Sequence, residues 1–462
     1  MMIRRFVLKE KVKKILKNLF KYVLIFIGLI CIYIMLLVVS SMIPSSLLEK
    51  NVKESSETLN LDGEKKEFNL LYKEENIFTF TDALMINTAY SVDSTTPMKS
   101  PLLARKNYIP GQTKKVHVDS QYNLGATSKY KNPKTGDLYQ TKELYGLMHG
   151  EKIEDSFEYA RYWHGYLVIL RPLLAIFNYS AIRILLLIIT LLLIGTLGVL
   201  LYRKIDLQTA IIYMLGFISI SIWIVTKSIN ESFIFIFALI STIFLLLRKD
   251  KMKDYFLFFF IIGSITNFID LLTAPIVTLG LVGTTYFLML QKENRNITIK
   301  EYAKEIIKIC IAWGLGYGLT WVIKWILVQL LYNRDLIMQS IEQAKFRMIV
   351  PKKYNVTIME VIKVNLAFLS INTILILLGF IVIYIIYNLI KNRNEEIDFK
   401  HNFKRSIPFI FISLLPIIWY VVLKQHSIKH SFFTYRILII TIINIFVFIK
   451  TLFEKEKQKI GD

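Results

Sequence analysis

Apolar stretches of 17 or more residues recur along this chain, beginning with YVLIFIGLICIYIMLLVVSSMI at 22–43. A run of that length crosses the hydrocarbon layer as a helix, because only a helix satisfies its own backbone N–H and C=O groups away from water. A soluble helical bundle would show apolar stripes rather than segments apolar on every side. Hydrophobic residues make up 54% of the sequence, too many for a soluble protein of 462 residues. The fold class expected is an all-α polytopic membrane protein.

Further runs fall at 180–202, 207–226, 232–247, 255–271, 274–291, 309–332, 363–390, 407–423 and 437–452, which with the first makes ten spans. Residues 1–21 carry eight Lys/Arg against one Glu, the signature of a basic cytoplasmic tail. Span 22–43 is long for a cleaved leader and reads as a signal anchor. Residues 44–179 then form one extracytoplasmic loop ending in an interfacial helix. Residues 180–452 form the polytopic domain, and 453–462 a cytoplasmic tail. Arg203, Lys204, Arg248, Lys249, Lys251, Lys253, Lys292, Arg295, Lys391, Arg393, Lys404 and Arg405 fall on expected inner loops, which agrees with this parity.

The formal charge of +22 does not point to nucleic acid. Residues 44–162 hold sixteen Lys/Arg against seventeen Asp/Glu, so the excess lies in the tail and short loops, where anionic lipid is the partner. Two expected outer loops nevertheless carry cations: Arg334, Lys345, Arg347, Lys352 and Lys353 in one, Lys424, Lys429 and Arg436 in the other. An anionic ligand at the outer surface accounts for them, as does mere solubility. Cys31 and Cys310 both lie in spans and provide no disulfide framework.

Four segments hold candidate chemistry. In FTFTDALMINTAYSVD (78–93), Asp82 and Asp93 sit among apolar neighbours, and Thr81 or Asp82 is placed to cap a helix through ALMINTAY. A carboxylate against the membrane surface would also suit a general base. YARYWHGYLVILRPLLAIFNYSAIR (159–183) reads as a helix in the interface presenting His164 and Arg171. Asp270 lies at the outer end of a span in TNFIDLLTAPIVTLG, either marking a site or capping the next helix. In WYVVLKQHSIKHSFFTYR (419–436), His426 and His430 share a face if the segment is helical, with Arg436 following. The pair lacks the third ligand of a catalytic zinc, so no cofactor is expected and no motif supports a divalent metal. The parity puts all of these residues on the outer face. No P-loop, dinucleotide fingerprint or nucleophile elbow occurs, which disfavours ATP-driven transport.

This layout resembles the GT-C superfamily, multi-span glycosyltransferases that take a sugar from a polyprenyl-phosphate carrier. RYWHGYLVILRPLLAIFNYSAIR is similar to that family's aromatic-proline helix with an arginine, here Arg183, entering the next span. The resemblance maps the family's loop carboxylate onto Asp82, with Asp270, read from its place in a span, as the second catalytic candidate. It also implies that Arg171, His164, His426, His430, Arg436 and Asp93 bind substrate or lipid phosphate. Many members pair two acids in the first loop, whereas Asp82 stands alone and the adjacent Glu154–Asp155 lie further on. The partners implied are a polyprenyl-phosphate-linked sugar, a glycan or lipid acceptor and membrane lipid, with no nucleic acid. The competing classes are a flippase or transporter and a polymerase for lipid-linked saccharide.

Overall fold

The computed structural model describes residues 2–62, 66–68, 74–76, 79–118, 140–293, 296–349, 356–391 and 397–455. Among them seven helices are long and apolar enough to cross a membrane: Leu16–Ser41, Tyr179–Lys204, Ile229–Lys251, Ile299–Tyr332, Ile371–Lys391, Phe399–Val422 and Ser431–Leu452. The other predicted spans are also helical, but 207–219, 255–269 and 276–293 are shorter or less apolar than those seven. The chain is thus a predominantly helical, multi-pass protein.

Helix α1 (Met2–Ser41) continues back through the predicted basic tail. The segment after it folds into α2 (Glu49–Asp62), α3 (Phe80–Tyr90), α4 (Lys99–Leu103), α5 (Gln140–Met148) and α6 (Leu167–Ile176). Two small sheets accompany these helices. Strands β1 (Lys66–Phe68) and β2 (Glu74–Asn76) pair antiparallel. In the second sheet, β5 (Asp155–Glu158) lies between antiparallel β3 (Arg105–Lys106) and parallel β4 (Lys115–Val118). Beside it the buried Lys106 Nζ and Asn107 Nδ2 both donate to the Glu143 carboxylate, each at 2.7 Å.

The bundle comprises α7 (Tyr179–Lys204), α8 (Leu207–Ser219), α9 (Ile222–Val225), α10 (Ile229–Arg248), α11 (Tyr255–Ile269), α12 (Ile276–Glu293) and α13 (Ile299–Tyr332). It continues with α14 (Leu336–Met348), α15 (Ile358–Leu369), α16 (Ile371–Lys391), α17 (Phe399–Ser413), α18 (Leu415–Val422), α19 (Lys424–Lys429), α20 (Ser431–Thr434) and α21 (Ile439–Leu452). Short polar side chains start these helices. Asn178, Asp206, Ser228, Asp254 and Thr298 each accept a backbone N–H of the first turn, replacing a partner the helix cannot supply. Helices α11 and α13 cross with almost no space between their backbones. A Cβ on Gly263 would strike the carbonyl of Trp313, and one on Gly316 the carbonyl of Phe260. Small residues permit this approach, as at many helix crossings within membranes.

Polar contacts divide between the two ends of the bundle. At one end Lys21 meets Asp254, Lys450 meets Asp206, Arg405 meets Glu454 and Lys249 meets Glu293. This is the end where the sequence places inner loops; Arg295 and Arg393 of those loops lie outside the described residues, as does the tail from 456. The described residues of the 44–178 segment cover the other end. Glu158 there receives Arg105 and Arg334, and Lys324 donates to the Leu102 carbonyl at 2.6 Å.

One expectation needs correcting. The aromatic stretch YARYWHGY is not part of a long interfacial helix. Only Leu167–Ile176 is helical, and the preceding residues turn, with His164 at a φ of 55°. The Gly165 N–H is drawn out of any helical ladder to the Phe268 carbonyl, 2.8 Å away, and a side chain at Gly165 would collide with Phe268.

Candidate functional site

Asp82 lies in the first turn of α3 and is fully buried. Its carboxylate does not cap its own helix, as the sequence suggested, but reaches the start of α10. There it accepts Ser228 Oγ at 3.0 Å and the N–H groups of Ile229 and Asn230 at 2.9 and 3.1 Å. Tyr179 Oη donates a fourth bond at 2.7 Å. The first N–H groups of a buried helix have no intrahelical acceptor, and a carboxylate there also meets the positive end of the helix dipole. Burial pushes the Asp82 pKa up, while the four donors favour its anion. The group is enclosed in protein rather than laid against a membrane surface.

Asp270 occupies the turn between α11 and α12, 4% exposed. Leu272 adopts the left-handed region at a φ of 68°, which curls the turn about the carboxylate. Thr273 N–H donates to both oxygens at 3.0 and 3.1 Å. Thr273 Oγ1 in turn accepts Asn230 Nδ2 at 2.7 Å. Asp82, Asn230, Thr273 and Asp270 therefore form one hydrogen-bonded chain.

The histidine pair joins the same turn. His426 Nε2 lies 2.9 Å from the Leu272 carbonyl, which can only accept, so this nitrogen carries the proton. Nδ1 is left to accept Arg347 Nη1 at 2.9 Å. His430 follows one helical turn later with ring centroids 4.8 Å apart, so the expected shared face is present. Burial, reinforced by Arg347, holds His426 well below its ordinary pKa and His430 at about 3. Both rings are neutral near pH 7.

Arg436 pairs with Glu231 on α10 at 2.5 Å, one residue beyond Asn230. The remaining candidates stand apart from this network. His164 is fully buried, Nε2 donating to the Tyr159 carbonyl at 2.6 Å and Nδ1 accepting Tyr166 Oη at 3.0 Å; burial lowers its pKa to about 3. Arg171 directs its guanidinium at the carbonyls of Ser40, Ile43 and Ala89, fastening the ends of α1 and α3 to α6. Asp93 accepts Thr95 N and Oγ1 at 2.9 and 2.7 Å and so holds the turn before α4. Asp155 pairs with His117 at 3.0 Å on the second sheet. Among the described residues no group of three His, Cys, Asp or Glu side chains is arranged to hold a metal. Lys352 and Lys353 lie outside the described residues.

No family model matches the chain, and no curated protein or solved structure matches it.

Sequence reading missed Arg347, Asn230, Thr273 and Glu231. Arg347 counted only as one loop charge among five. The dipeptide Asn230–Glu231 at the head of an apolar run was a usable signal, since two polar side chains entering a span need partners within the protein.

Proposed function

We propose that this chain is a membrane glycosyltransferase of the GT-C type. It would move a sugar from a polyprenyl-phosphate carrier to a cell-envelope glycan or lipid acceptor at the extracytoplasmic face of the plasma membrane, with both termini cytoplasmic. The observation that carries the reading is the single network Asp82–Asn230–Thr273–Asp270, extended through Leu272 to His426 and Arg347. It draws two acids, a neutral imidazole and a cation from five distant segments to one end of the bundle.

In this reading Asp270 accepts the proton of the acceptor hydroxyl as that oxygen bonds to the anomeric carbon. The bond from that carbon to the carrier phosphate breaks, and the phosphate leaves with the electron pair. Arg347 meets the departing charge, a charge-assisted contact that strengthens as the bond breaks. His426, with its proton fixed on Nε2, orients Arg347. Asp82, its acceptor positions filled, sets the start of α10 rather than touching substrate.

A flippase for the same lipid-linked saccharide is the second reading, favoured by the non-helical turn at Asp270 between two apolar helices. The test uses purified full-length protein, a polyprenyl-phosphate sugar and a cell-wall glycan acceptor. Sugar transfer lost in Asp270→Asn and cut at least about tenfold in Arg347→Gln, with melting temperatures kept, supports the enzyme. Carrier movement across liposomes without any transfer overturns it in favour of the flippase.

A further inference from the structure

Beside the carboxylate–histidine network, α11 and α13 enclose polar atoms that nothing in the described structure satisfies. Asn267, one turn before Asp270, is 1% exposed. Both its carboxamide oxygen and its nitrogen lack a hydrogen-bond partner among the described residues. The Tyr317 hydroxyl interacts with this amide, yet neither amide atom has a partner that meets hydrogen-bond geometry among the described residues. The buried indole N–H of Trp321 likewise has no acceptor among the described residues. Leaving one such group unpaired away from water costs about 1–3 kcal/mol, so three together call for an occupant that bonds to them.

The walls say what kind of occupant. Tyr317 and Trp321 lie one turn apart on α13, their ring centroids 5.4 Å apart, and Tyr162 closes against Trp321 at 5.9 Å. The Tyr317 hydroxyl is within electrostatic reach of Asp270, Arg347 and Tyr162. Aromatic faces suit an apolar C–H surface. An amide that both donates and accepts, with an indole donor beside it, suits hydroxyls around that surface. Few small molecules carry both features on one ring, and a pyranose is the common one.

We infer that Asn267, Tyr317, Trp321 and Tyr162 form a subsite for the hexose ring of the donor, placing its phosphate-bearing carbon toward Arg347 and its ring beside Asp270. This rests on the transfer reading for the identity of the donor, but the subsite is testable without transfer.

The experiment is equilibrium dialysis of the full-length protein in detergent against a labelled hexose 1-phosphate, with inorganic phosphate as competitor. Binding of the ester is expected, with inorganic phosphate competing weakly. Trp321→Phe keeps the ring and removes the donor, and Asn267→Leu removes both amide atoms. Each should weaken binding about tenfold or more, the usual penalty for a lost hydrogen bond to a buried polar group. Asn267→Leu should also keep or raise the melting temperature, which a structural amide would not allow. If Asn267→Leu fails to fold, Trp321→Phe decides alone. Binding unchanged in the variants, or inorganic phosphate bound as tightly as the ester, overturns the subsite. Binding through these residues by a protein that transfers no sugar would instead keep the subsite and sink the transfer reading. Undiminished transfer in Trp321→Phe would do the reverse.

Discussion

Asp82 on α3 and Asp270 after α11 belong to one hydrogen-bonded chain: each accepts a backbone N–H, from Asn230 and Thr273 respectively, and the side chains of those two residues bond to each other. The Asp82 end is closed: each of its bonds comes from a donor that has just entered a helix or lies under one. The Asp270 end adjoins His426, Arg347 and the unpaired amide of Asn267. The two acids are therefore inequivalent: Asp82 holds the start of α10, and Asp270 lies beside the proposed site.

Removing the closed end should appear as lost stability before lost activity. Asp82→Ala strips the acceptor from two hydroxyls and two backbone N–H groups. We expect a loss of about 3 kcal/mol or more, read as a lower melting temperature in detergent. Asp82→Asn, which retains one oxygen, should fall between wild type and alanine. An Asp82→Ala protein as stable as wild type would refute the capping role.

Three neutral histidines, His164 and His426 buried and His430 half-buried, make the covered end acid-sensitive. His164 and His430 are lowered by burial to about 3, and His426 is lowered in the same direction. Their folded pKa values lie below that of an unfolded histidine, near 6.5. Above that pH both states are neutral and stability is whole. As pH falls below about 6.5 the unfolded chain takes up protons that the folded chain refuses, and stability drops by up to about 1.4 kcal/mol per pH unit per histidine. Melting temperatures between pH 7.5 and 5 should fall accordingly, less steeply in His430→Phe. An unchanged slope in that variant would count against the assignment.

What the sequence disclosed follows the range of the interactions involved. The seven long apolar helices were legible because a membrane forces each segment to satisfy its own backbone, a purely local demand that YVLIFIGLICIYIMLLVVSSMI meets visibly. The His426–His430 pairing was legible for the same reason, since one helical turn sets it. Asp82 was misread because its partners lie beyond residue 178, and nothing near it announces that it caps α10. The aromatic stretch before α6 has the composition of an interfacial helix. A tertiary bond from Gly165 to Phe268 outweighs that preference. Arg347 looked like any loop cation until the fold brought His426 to it.

The Glu231–Arg436 pair offers a test of the neighbouring contact. Both side chains are buried, so removing one partner strands the other's charge, at a cost of about 3–5 kcal/mol. Glu231→Gln or Arg436→Gln alone should destabilise strongly. Glu231→Gln combined with Arg436→Met, which removes both charges, should recover much of that loss. A double-mutant cycle on melting free energies measures the coupling, and additive losses would mean that the pair carries no coupling.

The crossing of α11 and α13 sets the spacing of Asn267 and Tyr317, because Asn267 lies one turn beyond Gly263 and Tyr317 directly follows Gly316 at the close approach. A methyl group at either glycine meets a backbone carbonyl of the other helix, which cannot turn aside as a side chain can. The helices must then separate, unpacking the Ser264–Thr320 bond at 2.8 Å and the Trp313–Thr278 bond at 2.9 Å. Gly263→Ala and Gly316→Ala should each cost about 2–4 kcal/mol, although alanine favours a helix intrinsically by about 1 kcal/mol. If hexose 1-phosphate binding is built on this crossing, a folded Gly316→Ala protein should lose it together with stability, whereas Gly314→Ala, whose added methyl meets nothing, should keep both. Equal behaviour of the two alanine variants would show that the close crossing positions nothing.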